Sequence, residues 1–330
     1  VTSLDERPIV DRSRALAEAG AWTDLVRLGR ESWSSLADDA ELRVLFGEAL
    51  VRTGEEREAR LWLEGIIPGL VERGERALHR RAVNLLGVVT FTLGELDAAH
   101  SAFTSALELA TREHDILLVA RSSNNLGAID NLQGRHDGAL LHYRVALPAY
   151  RRLGQRRGLA ETYHNLAITY RDLGALADAD EHERRAIDYA SGGVAPRVAA
   201  MAHIGRAEVA LRRGDAPLSE RTARRAATTL HALDDPLNEA NAHRMMGAAY
   251  TAMARLSDAH AEFDEALGIA TSRGHAFVEA ETRRDRADAF LRMNEIDRAR
   301  GDALAAIAIF RKLGAVKEVE VLERRFASIE

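Results

Sequence analysis

Nine polar side chains recur in a register of forty residues. Arg81 precedes Arg121 by that interval. Asn84 stands in the same relation to Asn124, Asn124 to His164, Asn125 to Asn165, and Asn131 to Arg171. Asparagine competes with the backbone for hydrogen bonds and is poor inside a helix, so its recurrence mid-helix needs a reason. A side-chain amide carries both donors and an acceptor. It therefore suits an extended peptide, whose backbone presents both. Arg81 and Arg121 add planar guanidinium groups that pair ligand carboxylates through two parallel bonds. The set Arg81, Asn84, Arg121, Asn124, Asn125, Asn131, His164, Asn165 and Arg171 is thus a candidate peptide-binding strip. The competing reading, that these amides bond neighbouring segments or sit in water, stays open at this point.

Bond-making chemistry has no comparable signature. The chain contains no G-x-x-x-x-G-K-[ST], no G-x-S-x-G and no H-E-x-x-H. It has no cysteine, which removes disulfides, thiol nucleophiles and cysteine zinc sites. Twelve histidines are scattered; His203 and His243 share a phase and read as packed core histidines rather than metal ligands. The acidic pairs Asp178/Asp180 and Asp234/Asp235 fall at expected helix starts or turns, where capping explains them. The expectation is a non-enzyme with no cofactor and no metal. A net charge of −6, from 45 basic and 51 acidic residues, argues against direct nucleic-acid binding. No apolar run is long enough to cross a membrane. Residues 1–10 lack the apolar stretch of a secretory signal, so a cytoplasmic location is expected. Lysine occurs only at Lys312 and Lys317; the arginine bias suits a GC-rich bacterial genome.

The elements that position the polar strip follow from the period itself. One phase reads Gly47, Gly87, Gly127, Ala167, Ala207, Gly247, Ala287; seven residues later it reads Gly54, Gly94, Gly134, Gly174, Gly214, Ala254, Asn294. A third phase reads Ala59, Ala99, Ala139, Ala179, Ser219, Ala259, Ala299. A fixed period of this length marks a repeat array. Within a unit, Ser123, Leu126, Gly127 and Asp130 form one helical stripe. Gly134 ends it where the chain turns left-handed. A second helix then carries Ala139, Tyr143 and Ala146. Each unit is a helix–turn–helix whose small residues allow close packing.

The pattern resembles the tetratricopeptide repeat, W-x2-L-G-x2-Y…A-x3-F. Tyr163, Leu166, Ala167, Tyr170 and Ala179 carry the likeness, as do His243, Met246, Gly247, Tyr250, Ala259 and Phe263. The forty-residue variant is similar to repeats of GoLoco-containing adaptors, kinesin light chains and bacterial peptide-sensing regulators. The resemblance implies an all-α fold: a right-handed superhelical solenoid of antiparallel helix pairs with a concave groove. In those families, asparagine at the phase of Asn125 and Asn165 commonly holds ligand backbone. The chain departs from the motif in places. Arg206 and Arg286 stand where it has leucine, and Glu183 and Ala223 where it has an aromatic. Those repeats are expected to be looser or to face a partner.

The expected organisation is an irregular helical pair over 1–35, seven forty-residue repeats over 36–312 and a capping helix over 313–330. The cap is read at Val316–Ser328, and the first pair turns at Gly20. Pro68 and Pro148 should kink second helices, while Pro196 and Pro236 read as inter-repeat turns. Met201, Ile204, Met245 and Met246 offer an adaptable apolar stretch that suits a partner helix. The leading expectation is a scaffold binding a peptide segment of a protein partner in its groove. The alternative is a ligand- or peptide-sensing regulatory module of a bacterial transcription or signalling system. Solenoid edges and caps also allow a homodimer.

Overall fold

The computed structural model describes residues 8–32 and 39–326, and every regular element among them is an α-helix. The expected boundary after residue 35, Trp33 and the expected cap end at Ser328 lie outside the described residues. The chain divides into two compact units, residues 1–154 and 155–330. Unit 1 contains α1 (Ile9–Glu18), α2 (Trp22–Glu31), α3 (Ala40–Thr53), α4 (Glu56–Glu72), α5 (Arg76–Thr92), α6 (Leu96–Arg112), α7 (Ile116–Leu132) and α8 (His136–Arg152). Unit 2 contains α9 (Arg156–Asp172), α10 (Leu176–Ala190), α11 (Pro196–Arg212), α12 (Ala216–Ala232), α13 (Pro236–Ala252), α14 (Leu256–Ser272), α15 (Ala276–Arg292), α16 (Ile296–Lys312) and α17 (Val316–Phe326).

The α7–α8 pair shows why the sequence turns where it does. Asp115 caps α7 by accepting from the Leu118 backbone N–H at 3.0 Å. At the other end Gly134 takes φ +74°. The Arg135 N–H then reaches back to the Asp130 carbonyl at 2.8 Å, satisfying an orphan acceptor of the last turn. Ala254 and Asn294 hold the same left-handed turn in later pairs, with φ of 58° and 59°. Pro196 and Pro236 are the first residues of α11 and α13 rather than turn residues. Proline suits that position because its N–H would be unpaired in any case. Pro68 and Pro148 lie inside α4 and α8, which continue through them on an exposed face.

Packing within each pair depends on a small residue facing a large one. A Cβ on Gly127 would lie 2.4 Å from the Tyr143 ring. On Gly87 it would meet Phe103 at 2.8 Å, on Gly247 Phe263 at 2.7 Å, and on Gly47 Leu63 at 2.9 Å. The four large partners are fully buried. Where the first helix carries Ala167, Ala207 or Ala287, the same second-helix phase holds Glu183, Ala223 or Ala303. The large apolar side chain is thus found only opposite glycine, where no Cβ stands in its way.

The degenerate repeats are not loose. Arg206 on α11 bonds Asp180 of α10 at 2.7 Å. Arg286 on α15 bonds Asp302 of α16 at 2.7 Å and Asp264 of α14 at 2.6 Å. Each arginine that replaces the motif leucine has its own carboxylate, held by a neighbouring second helix. Asp180 therefore lies inside a helix as an ion-pair partner and is not a cap. Asp235 does cap α13, accepting from the Asn238 N–H at 3.3 Å. At the end of unit 2, Val319 and Leu322 of α17 pack on Ala280, Ala306 and Phe310.

Candidate functional site

The polar strip falls on both units. Arg81, Asn84, Arg121, Asn124, Asn125 and Asn131 belong to unit 1; His164, Asn165 and Arg171 belong to unit 2. In unit 1, α3, α5 and α7 frame a cavity of about 690 Å³. Arg81, Asn84 and Arg121 line it, with Leu85 and Val88 as apolar wall. The repeat explains the grouping: first helices of successive pairs present the same phase to the same side.

The three strip residues in this cavity differ in their commitments. Arg81 is bonded to Glu48 of α3, which is almost buried. Its charge is therefore engaged within the chain. Asn84 is half-buried, and its Oδ1 has no hydrogen-bond partner among the described residues. Arg121 is exposed, with no carboxylate within ion-pair distance among the described residues. Arg80 also lines the cavity; one nitrogen lies 3.4 Å from Asp115 while its Nε lacks a partner among the described residues. Of the remaining unit-1 residues, Asn124 is buried, Asn125 is half-buried, and neither lines the cavity. Asn131 sits at the end of α7, where its Oδ1 lies 3.0 Å from His136 Nδ1.

In unit 2 two of the three strip residues are held by carboxylates of other helices. His164 Nδ1 lies 3.0 Å from Glu183 of α10, and both are buried. Burial pushes the Glu183 carboxyl above its ordinary pKa, and His164 opposes the shift. Glu183 is the residue that replaces the aromatic of the motif; its carboxylate occupies the space a Cβ on Gly205 would need. Arg171 bonds Glu208 of α11 at 2.7 Å. Asn165 is half-buried on α9. His203 is a buried histidine whose pKa burial lowers to about 4. His243 differs from the core reading: it is half-buried and bonds Glu262 at 2.7 Å. Met245 and Met246 are both buried, and Met201 and Ile204 are half-buried.

The carboxylates Glu48, Glu183 and Glu208 were missed by sequence reasoning, because each lies 19 to 37 residues from its partner. Among the described residues no group of three or more histidines and carboxylates is placed to hold a metal. No described helix is long and apolar enough to cross a membrane.

Residues 75–152 and 118–191 match the tetratricopeptide repeat family. Tetratricopeptide repeats thus occupy residues 75–191 of the chain. No curated protein matches it significantly. Solved structures resemble the chain over most of its length. The apo form of RapI aligns with a TM-score of 0.70 at 14% identity, covering 84% of this chain and 99% of that one. A Rap protein complexed with competence and sporulation factor gives 0.65 at 13% identity, covering 97% and 96%. The Rap conjugation gene regulator of plasmid pLS20, in complex with the Phr* peptide, gives 0.65 at 14% identity, covering 85% and 76%. At such identities the likeness is one of fold.

Proposed function

We propose that this protein is an interaction scaffold that takes an extended peptide segment of a partner protein. The unit-1 cavity and the half-buried Asn125, one turn further along α7 than Arg121, are its recognition face. The observation that carries this reading is the Asn84 amide, whose Oδ1 has no partner among the described residues beside the cavity. An unsatisfied buried acceptor costs about 1–3 kcal/mol, so a ligand N–H that reaches it would recover that loss. A turn of the amide about χ2 presents either its donor or its acceptor to a passing backbone. Arg121 supplies a guanidinium beside it that no internal carboxylate among the described residues engages.

The test is selection of peptides from a displayed library on the full chain, followed by fluorescence anisotropy with purified variants. Asn84→Ala and Arg121→Gln are each expected to weaken selected peptides by about tenfold, the effect of one hydrogen bond to a charged or buried group. Enrichment of no peptide, or equal binding by both variants and wild type, refutes the reading.

A second reading makes the bound peptide a signal rather than a tether. It is supported by the fold likeness to a conjugation gene regulator seen with a peptide. Here, saturating peptide should change amide exchange in unit 2 as well as around α5 and α7. Protection confined to unit 1 favours the plain scaffold.

A further inference from the structure

Unit 2 contains a larger cavity, of about 750 Å³, framed by α11, α13, α15 and α17. Part of its wall is apolar: Leu211, Met245, Ala248, Leu291 and Val321. Five arginines also line it, namely Arg212, Arg244, Arg284, Arg292 and Arg325, against the carboxylates Glu208, Asp285 and Asp288. The lining therefore carries two surplus positive charges in a chain whose net charge is −6. That local reversal of sign is the starting point.

The carboxylates of the wall are already engaged. Glu208 bonds Arg171 and Arg212, each at 2.7 Å. Asp285 bonds Arg244 at 2.7 Å and Arg284 at 2.8 Å. Asp288 bonds Arg325 of α17 at 2.8 Å. Burial pushes the Asp285 carboxyl up, but Arg284 and Arg244 more than offset it, so it stays ionised. Arg292 is different. It is exposed, its contact is the Thr251 carbonyl at 3.4 Å, and no carboxylate lies within ion-pair distance among the described residues. An incoming anion meets Arg292 without displacing an internal partner. Arg244 adds a nearly buried guanidinium whose Nε has no partner among the described residues.

The terminal helix belongs to this face. Val321 and Arg325 stand forty residues after Glu281 and Asp285, so α17 continues the first-helix phase. It packs on the last helix pair and also contributes one apolar and one cationic group to the cavity.

We propose that this cavity is a second recognition site, for an acidic peptide segment that carries aliphatic side chains. The inference rests on the reading of the chain as a peptide-binding scaffold and adds a place and a ligand chemistry. An extended chain is the occupant that fits the spacing. Packed helices lie about 8–10 Å apart, and a chain extended as polyproline II advances about 3.1 Å per residue with three residues per turn, so every third side chain faces the same wall. One carboxylate and one aliphatic side chain per three residues therefore keep step with successive first helices.

The probe is an acetylated, amidated dodecapeptide of repeated Asp-Leu-Ser triplets, titrated into the full chain by isothermal calorimetry. Its counterparts replace every Asp by Asn, or every Leu by Ser. The Asp-Leu-Ser peptide should bind with one site per chain and weaken as salt is raised. Arg292→Gln should weaken it about 5-fold, the upper end for one solvent-facing ion pair. Arg121→Gln, in unit 1, should leave it unchanged. Equal binding of the Asn peptide overturns the acidic chemistry, and equal binding of the Leu-free peptide overturns the apolar part. Sensitivity to Arg121→Gln but not to Arg292→Gln overturns the location. Failure of the probe at millimolar concentration overturns the second site. If library-selected, Asn84-dependent peptides still bind, the unit-1 reading survives that failure; if they do not, both fall.

Discussion

Substituting Gly127 by alanine sets two effects against each other. Gly127 lies mid-helix in α7, where alanine is favoured over glycine by about 1 kcal/mol. The added methyl, however, would lie 2.4, 2.7 and 2.8 Å from three atoms of the Tyr143 ring. Contacts this short force a displacement. Tyr143 has no exposed surface and cannot swing into solvent. Overpacking of this kind costs about 1–3 kcal/mol; the enclosed ring argues for the upper end. The expected net loss, overpacking less propensity, is about 2 kcal/mol. Gly65 in α4 provides the control, since a Cβ there has nothing within 4 Å. Gly65→Ala should stabilise by up to about 1 kcal/mol.

The assay is urea unfolding of the full chain followed by circular dichroism, with the midpoint read at constant slope. Tyr143→Leu should be destabilising alone, yet Gly127→Ala should cost much less in that background. The double-mutant cycle isolates the steric term from helix propensity. If Gly127→Ala is as stable as wild type, or if its cost is unchanged by Tyr143→Leu, the small-against-large account of repeat packing is wrong.

Two further predictions concern buried charge. Burial raises the Asp288 carboxyl to about 6, with Arg325 opposing, against about 3.9 in an unfolded chain. Because the folded pKa is the higher one, its stabilising contribution is full below about pH 4 and lost as pH rises through about 6. The change is about 3 kcal/mol at 1.36 kcal/mol per unit. Urea midpoints of wild type and Asp288→Asn should therefore diverge across that window, with the variant the more stable near neutrality; parallel curves refute it. His164→Ala should destabilise by about 3 kcal/mol, because it strips the partner from the buried Glu183 carboxyl. Glu183→Met in the same chain should restore most of the loss; a neutral His164→Ala would instead return His164 to the set of free ligand-binding groups.

The helices were legible because their signals are local and repeat. Gly134 and Gly174 mark left-handed turns, and the Gly127 phase marks close approach, within one forty-residue unit. The pairing of Gly with Leu63, Phe103, Tyr143 and Phe263, and of alanine with Glu183, Ala223 and Ala303, was also present in the sequence. The motif reading took Glu183 and Ala223 as departures, although a Cβ at the facing position leaves no room for the large apolar side chain. The strip was less legible. Arg81, His164 and Arg171 read as free polar groups when each helix is considered alone, yet the structure gives each a carboxylate from another helix.

That second layer follows a register of its own. In unit 2, Arg171 and Glu208, Arg244 and Glu281, and Asp288 and Arg325 are each 37 residues apart and within ion-pair distance. Each pair joins two successive first helices, and the interval is the forty-residue period less about one helical turn. A side chain on one first helix is thereby level with a residue one turn nearer the N-terminus of the next. This spacing, beside the 41-residue interval of Arg244 and Asp285, is one by which first helices brace one another. Arg121 is preceded at this interval by Asn84 and followed at it by Gly158. At those places the register supplies no acid to the arginine on which the unit-1 proposal depends. Exchanging Asn84 for aspartate would supply one to Arg121 within unit 1, with the acid-first order of Asp288 and Arg325. Asn84→Asp should weaken selected peptides more than Asn84→Ala does, because it removes the amide and also occupies the guanidinium. In the Asn84→Asp chain, Arg121→Gln should then have almost no further effect on anisotropy titrations, while in the Asn84→Ala chain it should still cost several-fold. If Arg121→Gln costs the same in both backgrounds, the new carboxylate has not captured the arginine, and the 37-residue register does not decide which charges this face leaves free.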